Sequence, residues 1–174
     1  KVHPELFREM MYPLSRYLAT LTLASVGDLF KNATGIMEWL TKLSRLASQG
    51  GQPMAWVTPL GLPVVQPYRR DESTQIKTVV QHVILAEASD SAPVHSQRQQ
   101  SAFPPNYVHS LDSSHMLMTA VKCAEESNRL DFASVHDSYW THATDVDRMS
   151  VLLRECFIEL HKKPLLPELK RGMD

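Results

Sequence analysis

One apolar stripe, from Leu14 to Ala47, constrains the fold of this chain more than any other feature of its sequence. Apolar or small residues recur there at steps of three and four, which keeps them on one helix face for about nine turns. Gly50–Gly51 then supplies a stop signal. Because proline breaks or kinks helices, Pro13 predicts a short helix before the long one. We therefore expect residues 1–51 to form long helices with a buried apolar face.

The composition is that of an ordinary globular domain. The chain has 174 residues, of which 43% are hydrophobic and 21% charged, enough for one domain with a core. No apolar run is long enough to predict a membrane span. The net charge of −1 argues against a dedicated nucleic-acid module, which is usually strongly basic. Cys123 and Cys156 lie far apart, which favours reduced core residues over a disulfide framework or a metal site.

The start of the chain shows no targeting pattern. Residues 1–12 are a polar mixture without the apolar segment of a signal peptide. The absence of an initiating methionine indicates an excerpt or a processed chain.

Residues 52–101 are predicted to be rich in β-structure. Trp56–Val57 and Val64–Val65 are short β-prone runs on either side of a turn with Pro59 in its second position and Gly61 in its fourth. Residues 75–86 are typical of another strand, and the polar residues after them of a loop or a hairpin arm. The stretch from 64 to 101 therefore predicts a projecting β-hairpin.

Two helices and a short hairpin are predicted for residues 102–163. Pro104–Pro105 is expected to exclude helix, so the first helix would begin at a cap near Asp112 or Ser113. Its predicted buried face is Leu117, Ala120, Val121 and Ala124. Thr144–Asp147 has the spacing of a capping box for the second helix. The predicted inner face of that helix is Met149, Leu152, Leu153, Cys156, Phe157 and Leu160.

Residues 164–174 are predicted to be a tail, since Pro164 and Pro167 are expected to end the folded pattern. The fold class that these elements predict is α+β, with long helices packed on a small antiparallel sheet.

Asp137 occupies the tip between two predicted strands, residues 131–136 and 139–142, with His136 beside it. A carboxylate at such a tip is held rigidly and can still face a cleft. This arrangement suits Mg²⁺, which takes oxygen ligands and keeps several waters. A turn aspartate that bonds its own backbone explains the same local pattern. The local sequence leaves both interpretations open.

Two stretches carry a wider pattern: "FPPNYVHSLDSSHM" at 103–116 and "HDSYWTHATDV" at 136–146. Together they resemble the C-terminal palm region of single-subunit, phage-type RNA polymerases. The residues that fit the family pattern are Pro105, Asn106, Tyr107, Val108, His109, Ser110, Asp112, Ser114, His115, His136, Asp137 and Ser138. Ser113 and the "YWTHA" run indicate the mitochondrial branch. The runs "WLTKLSRLAS" and "WVTPLGLPVVQPY" match as well, so the resemblance covers essentially the whole chain.

The resemblance implies roles for five residues. Asp137 matches the second of two palm aspartates that hold two Mg²⁺ ions in this family. His136 would support the hairpin or approach the RNA 3′ end, and His115 matches a histidine near the primer terminus. Arg98 and Gln99 fall where the family has a basic residue and a glutamine, which implies contact with nucleic acid. Residues 64–97 correspond to the specificity hairpin, which meets promoter DNA in this family.

The first palm aspartate, the fingers helix and the aromatic C-terminal tail of the family have no counterpart among these residues. The resemblance therefore implies a palm and fingers fragment of a mitochondrial DNA-directed RNA polymerase, inactive without the remainder of the polymerase chain. Its implied partners are template DNA, nascent RNA, nucleoside triphosphates and mitochondrial transcription factors, with no membrane, and its implied location is the mitochondrial matrix. Two alternatives remain open: a truncated, non-catalytic remnant that serves as an interaction module, and an unrelated metal-dependent hydrolase that uses His136, Asp137 and His115.

Overall fold

The computed structural model describes residues 4–70, 72–78, 80–87, 92–126 and 130–173. The chain divides into two compact units, residues 1–42 and residues 43–174. None of the described helices is both long and apolar enough to cross a membrane.

The first unit contains α1 (Pro4–Leu29) and most of α2 (Lys31–Gln49). The predicted break at Pro13 is wrong, because α1 continues through it. The interruption lies at Phe30 instead, where the hydrogen bonds from Phe30 N to Val26 O (3.0 Å) and from Thr34 N to Phe30 O (2.9 Å) join the two helices. A single proline removes only one N–H donor, and a helix of 26 residues tolerates that loss.

The apolar stripe is not buried along its first half. Leu14, Leu18 and Leu21 are each about half exposed, and Leu29 is 76% exposed. The prediction of a buried face is therefore wrong for α1. The apolar residues of α1 do share one face of the helix, but no other part of the described chain covers the exposed leucines.

Three two-stranded antiparallel sheets replace the predicted single sheet among the described residues of the second unit. They pair β1 (Ala55–Val57) with β2 (Pro63–Val65), β3 (Glu72–Lys77) with β4 (His82–Glu87), and β5 (Ala133–Val135) with β6 (Ser138–Trp140). The α+β class is confirmed. The predicted projecting hairpin is β3–β4, which turns within the run that the sequence suggested as one strand. The predicted turn before β2 forms as well, with Gly61 at φ +85°.

The longest helix, α3 (Ser96–Glu125), passes through both Pro104 and Pro105, against the prediction that they exclude helix. Neither proline can donate to the carbonyl four residues earlier. Packing offsets this loss, because Phe103 on α3 is fully buried and its ring centroid lies 5.4 Å from that of Trp56 on β1. Tyr107, one turn later, packs on the same tryptophan at 6.3 Å.

The inner face of α3 also differs from the predicted one. Val121 is 55% exposed and Leu117 is 37% exposed, whereas Ser114 and Thr119 are buried. Their hydroxyls donate to the helix carbonyls of Ser110 (2.8 Å) and His115 (2.9 Å), respectively. A hydroxyl that bonds its own helix has its donor satisfied, so these polar residues can be buried.

A 3-10 turn (Ala143–Asp145) precedes α4 (Val146–His161), and α5 (Leu165–Arg171) follows it. The predicted capping box is wrong, since the structure places the cap at Asp145, without a side-chain hydrogen bond. The predicted inner face of α4 is confirmed for Met149, Leu152, Cys156 and Leu160, whereas Phe157 is 51% exposed. The predicted tail instead folds into α5, whose Leu169 is buried.

Helices α3 and α4 form the centre of the second unit. The buried residues Cys123, Leu130, Met149 and Leu152 form one cluster, and Phe132, Tyr139 and Leu153 pack against it. Since Tyr139 belongs to β6, this cluster is what holds the β5–β6 hairpin against the helices. Cys123 and Cys156 are free and buried, as the sequence predicted.

Candidate functional site

The β5–β6 hairpin presents His136 and Asp137 at its tip. Val135 pairs with Ser138, so these two residues alone form the turn. His136 has φ +53° and is the one described non-glycine residue with a positive φ. Left-handed backbone is disfavoured for most L residues, and histidine is among those enriched there. A two-residue tip anchored by paired strands gives the backbone of Asp137 a defined position, from which its side chain extends.

The Asp137 side chain is exposed, and no ion pair among the described residues includes it. Its backbone is fixed while its carboxylate oxygens stay open to solvent. The geometry therefore leaves these oxygens free to bind a ligand.

Tyr139 links the hairpin to α3. Burial raises the pKa of the Tyr139 hydroxyl, and the negative charges of Asp112 on α3 and Asp137 at the tip raise it further. Both carboxylates therefore lie within electrostatic reach of one hydroxyl group. The Tyr139 ring also packs against His115, with centroids 6.2 Å apart and planes at 73°. Sequence reasoning missed this residue, although its place in the "HDSYW" run was a signal that it packs beside the tip.

His115 connects α3 to α4. Its Nε2 lies 2.8 Å from the carbonyl oxygen of Leu153. Because a carbonyl oxygen can only accept, Nε2 carries a proton and donates it to this hydrogen bond. The ring meets Phe157 edge to face at 5.6 Å. His115, Tyr139 and Phe157 line a shallow apolar groove of about 450 Å³. The structure therefore brings two predicted site residues into one region, with Tyr139 between His115 and the hairpin of Asp137.

Arg98 and Gln99 lie at the other end of α3, and only one of them faces solvent. Arg98 is exposed, so its guanidinium can reach a ligand. Gln99 is fully buried, and its amide is bonded within the protein. The predicted contact of the Gln99 side chain with nucleic acid is therefore corrected, because a side chain with no exposed surface cannot touch a ligand. Sequence position alone gave no signal that would separate these neighbours.

The described residues supply one candidate Mg²⁺ ligand at the hairpin rather than a complete site. No group of three or more His, Cys, Asp or Glu side chains among them could hold a metal ion. Magnesium binds through one or two carboxylates and completes its shell with waters and phosphates. The open Asp137 carboxylate has the right donor atoms for one of these positions. The residues present therefore fit part of a magnesium site.

Known proteins similar to this chain are RNA polymerases. A family model for DNA-dependent RNA polymerase matches residues 2–174. DNA-directed RNA polymerase 3, chloroplastic, of Nicotiana sylvestris is 49% identical over 160 residues, which are 92% of this chain and 16% of that protein. DNA-directed RNA polymerase 1, mitochondrial, of the same plant is 48% identical over 159 residues, 91% of this chain and 16% of that protein. DNA-directed RNA polymerase 2A of Nicotiana tabacum is 48% identical over 153 residues, 88% of this chain and 45% of that protein.

Proposed function

This chain belongs to the DNA-dependent RNA polymerase family, and from that premise we propose that it is the palm-containing part of a DNA-directed RNA polymerase. The chain spans only 16% of the length of two of the relatives that it matches, so catalysis would also need residues that lie outside it. The exposed Asp137 carboxylate, on a hairpin tip packed against α3 and α4, is the observation that carries the proposal.

Asp137 would supply one of the carboxylates that hold Mg²⁺. With further carboxylates from outside this chain, Asp137 would hold two Mg²⁺ ions, whose chemistry would be to activate the RNA 3′ hydroxyl and to neutralise charge on the triphosphate of the incoming nucleotide. The strand pairing from Val135 to Ser138 fixes the backbone at the tip from which the carboxylate would reach the metal ion.

Three other residues would contact nucleic acid. His136 stands beside Asp137 on the exposed tip and would approach the RNA 3′ end. His115 would face the primer terminus through the ring edge that is not bonded to Leu153. Arg98, exposed near the start of α3, would bind a backbone phosphate, since guanidinium matches phosphate geometry. The β3–β4 hairpin would meet promoter DNA.

The proposed partners are template DNA, nascent RNA, nucleoside triphosphates, the remainder of the polymerase chain and mitochondrial transcription factors. We place the protein in the mitochondrion, in keeping with the relative named as mitochondrial. Relatives named as chloroplastic make the plastid the competing location. Imaging a fluorescent fusion of the full-length polymerase with mitochondrial and plastid markers decides between the two organelles.

The test of the catalytic role is Asp137→Asn in a full-length polymerase that carries this segment. Asparagine keeps the size of the side chain and removes its charge, so RNA extension on an annealed primer–template should fall by about a hundred- to a thousandfold, as for loss of a principal charge-stabilising group. Binding of the same primer–template, measured by fluorescence anisotropy, should change little, because one ion among many contacts is affected.

Asp131→Asn is the matched control. Asp131 precedes the same hairpin, its side chain is 80% exposed, and it pairs with His142 at 3.0 Å. This variant removes an equal charge away from the tip and should keep its extension rate. Substantial extension by Asp137→Asn would refute the assignment of Asp137.

A further inference from the structure

Gln99 lies at the centre of a cluster of buried amides. Its Oε1 accepts from the backbone N–H of Met54 (3.2 Å) and from Nε2 of Gln66 (2.7 Å). Its Nε2 donates to the carbonyl oxygens of Gln66 (2.9 Å) and Tyr68 (3.3 Å). The cluster extends through Asn106, whose Nδ2 donates to Oε1 of Gln66 (2.8 Å). One side chain on α3 thus bonds both the segment before β1 and the segment after β2.

The amides of Gln99 and Gln66 are buried without unsatisfied atoms. Gln99 is 0% exposed and Gln66 is 2% exposed. The described buried polar atoms without a partner are Ser44 Oγ and Thr141 Oγ1, neither of which belongs to the cluster. A buried amide is stable only when its donors and acceptors are all paired, and a fully paired network specifies one arrangement of the segments that it joins.

The segment bonded by Gln99 is the root of the β3–β4 hairpin. We define the hairpin root as residues 68–70 together with residues 92–95. An antiparallel bridge joins Arg69 to Val94. Arg70 N donates to Pro93 O (2.8 Å), and His95 N donates to Tyr68 O (3.0 Å). The Arg69 guanidinium donates to Ala92 O (2.8 Å). Both arms of the hairpin therefore leave from one short paired ladder.

The Tyr68 carbonyl is where the cluster and the root meet. It accepts from the Gln99 side chain and also from the backbone N–H of His95, at the start of α3. The root is thereby fixed to α3 at the carbonyl where its ladder ends. The hairpin itself has no comparable buried anchor among the residues whose burial is described. Its residues 76–78 and 80–82 are all exposed.

We propose that Gln99 is a positioning residue that fixes the hairpin root to α3 and so sets the position of the β3–β4 hairpin for DNA. This inference rests on the proposed function, because it assumes that the hairpin meets promoter DNA. It replaces the direct nucleic-acid contact predicted from sequence with an indirect role. Loss of the Gln99 amide should impair the use of promoters and leave the chemistry of extension intact.

The test compares Gln99→Leu with Gln100→Leu in a full-length polymerase that carries this segment. Leucine fills a similar volume without any hydrogen-bonding group, so Gln99→Leu strips partners from Met54 N, Gln66 and Tyr68. Gln100 is the matched control, because its amide bonds only the Ser96 hydroxyl next to it on α3 among the described residues (2.8 Å).

Two assays separate promoter use from extension. The first measures run-off RNA from a linear duplex that carries a transcription start mapped in the same organelle. The second measures extension of an RNA primer annealed to a template strand, which needs no promoter. Gln99→Leu should lower run-off synthesis by about tenfold or more, because leaving even one buried polar group unpaired has an effect of that size, and should change primer extension by less than about twofold. Gln100→Leu should match wild type in both. An equal fall in both assays for Gln99→Leu would overturn the proposal.

Hydrogen exchange supplies a readout that does not depend on polymerase activity. Peptides covering residues 66–70 and 92–95 should take up deuterium faster in Gln99→Leu, while peptides from α4 should be unchanged. Unchanged uptake at the root contradicts the proposal. If wild type fails to extend the annealed primer, the proposed function fails, and the exchange result alone then decides whether Gln99 fixes the root.

A second background shows whether Gln99 acts through the hairpin. Residues 72–87 are replaced by a short Gly–Ser turn, and Gln99→Leu is introduced into that shortened polymerase. Because there is no hairpin left to position, the substitution should cause no further loss of run-off RNA. A further tenfold loss in this background would show that Gln99 acts by another route.

Discussion

His115 is the residue whose structural and contact roles can be separated most sharply. Its Nε2 donates to the Leu153 carbonyl across the α3–α4 interface, and its ring meets Tyr139 and Phe157 edge to face. One hydrogen bond contributes about 1 kcal/mol. Each aromatic contact contributes about 0.5–1.5 kcal/mol. We therefore expect His115→Ala to lower the free energy of unfolding by about 3 kcal/mol.

Two further substitutions at this position divide the effect. His115→Phe keeps a ring and loses the hydrogen bond, so it should lose about 1 kcal/mol. His115→Gln can still present an amide N–H to Leu153 O but lacks the ring, so its loss should come mainly from the two aromatic contacts. Both variants lack Nδ1, the nitrogen that remains for a primer contact.

Urea unfolding followed by circular dichroism measures these differences. With a slope of roughly 2 kcal/mol per molar urea, His115→Ala should lower the midpoint by roughly 1.5 M. If His115→Ala and His115→Phe both lose less than about 0.5 kcal/mol, the reasoning from contacts is refuted. If His115→Phe extends an annealed primer at the wild-type rate, the proposed primer contact through Nδ1 is refuted as well.

Three other predictions concern the same unit. Leu152→Ala should lower the free energy of unfolding by about 2–5 kcal/mol, since Leu152 is 1% exposed in the α3–α4 cluster; a midpoint in urea like that of wild type would contradict this. Asp137→Asn should lower the pKa of Tyr139 towards its usual value, because one of the charges that raise it is removed; ring-carbon NMR titration measures this, and an unchanged pKa would show that the carboxylate lies out of reach. The Arg148 guanidinium holds the pKa of the Glu126 carboxyl below its usual value of about 4.5. The pair therefore stabilises the fold at neutral pH, and this stabilisation is lost as the pH falls from about 4.5 through the lowered pKa. The melting temperatures of wild type and Arg148→Gln should therefore differ at pH 7 and converge near pH 3, and a gap that does not depend on pH would count against the pair.

The sequence predicted the local elements well where residue pattern and backbone geometry agree. Strands β1 and β2, with the turn that contains Gly61, follow from β-prone residues around a proline–glycine turn. The β5–β6 hairpin follows in the same way, because a two-residue tip between short apolar runs has few alternatives. The inner face of α4 follows from its helical periodicity.

The failures share a physical cause, which is tertiary packing that overrides local preference. Phe103 and Tyr107 pack on Trp56, and this packing holds α3 helical through two prolines. The buried hydroxyls of Ser114 and Thr119 bond their own helix, so an apolar pattern cannot locate that face. A prediction from a short stretch of sequence does not include the contacts that its residues make with residues far away in the chain.

In the candidate site, too, features that depend on sequence neighbours were predictable and features that depend on distant residues were not. The position of Asp137 at an exposed tip was predictable, because it depends on neighbours in the sequence. The burial of Gln99 was not, because its partners are Met54, Gln66 and Tyr68, between 31 and 45 residues away. The pattern of polar residues near Arg98 is the same whether an amide faces solvent or the interior.

The proline pair in α3 has a mechanical consequence. With no N–H at positions 104 and 105, the carbonyls of Gln100 and Ser101 lose their helical donors, so this stretch of α3 depends on its packing rather than on internal hydrogen bonds to stay straight. Gln99 lies on one side of it and His115 on the other, separated by about 24 Å at 1.5 Å per residue. A bend there would change the direction of the N-terminal part of α3, which holds the hairpin root, while the part that carries His115 stays packed on α4.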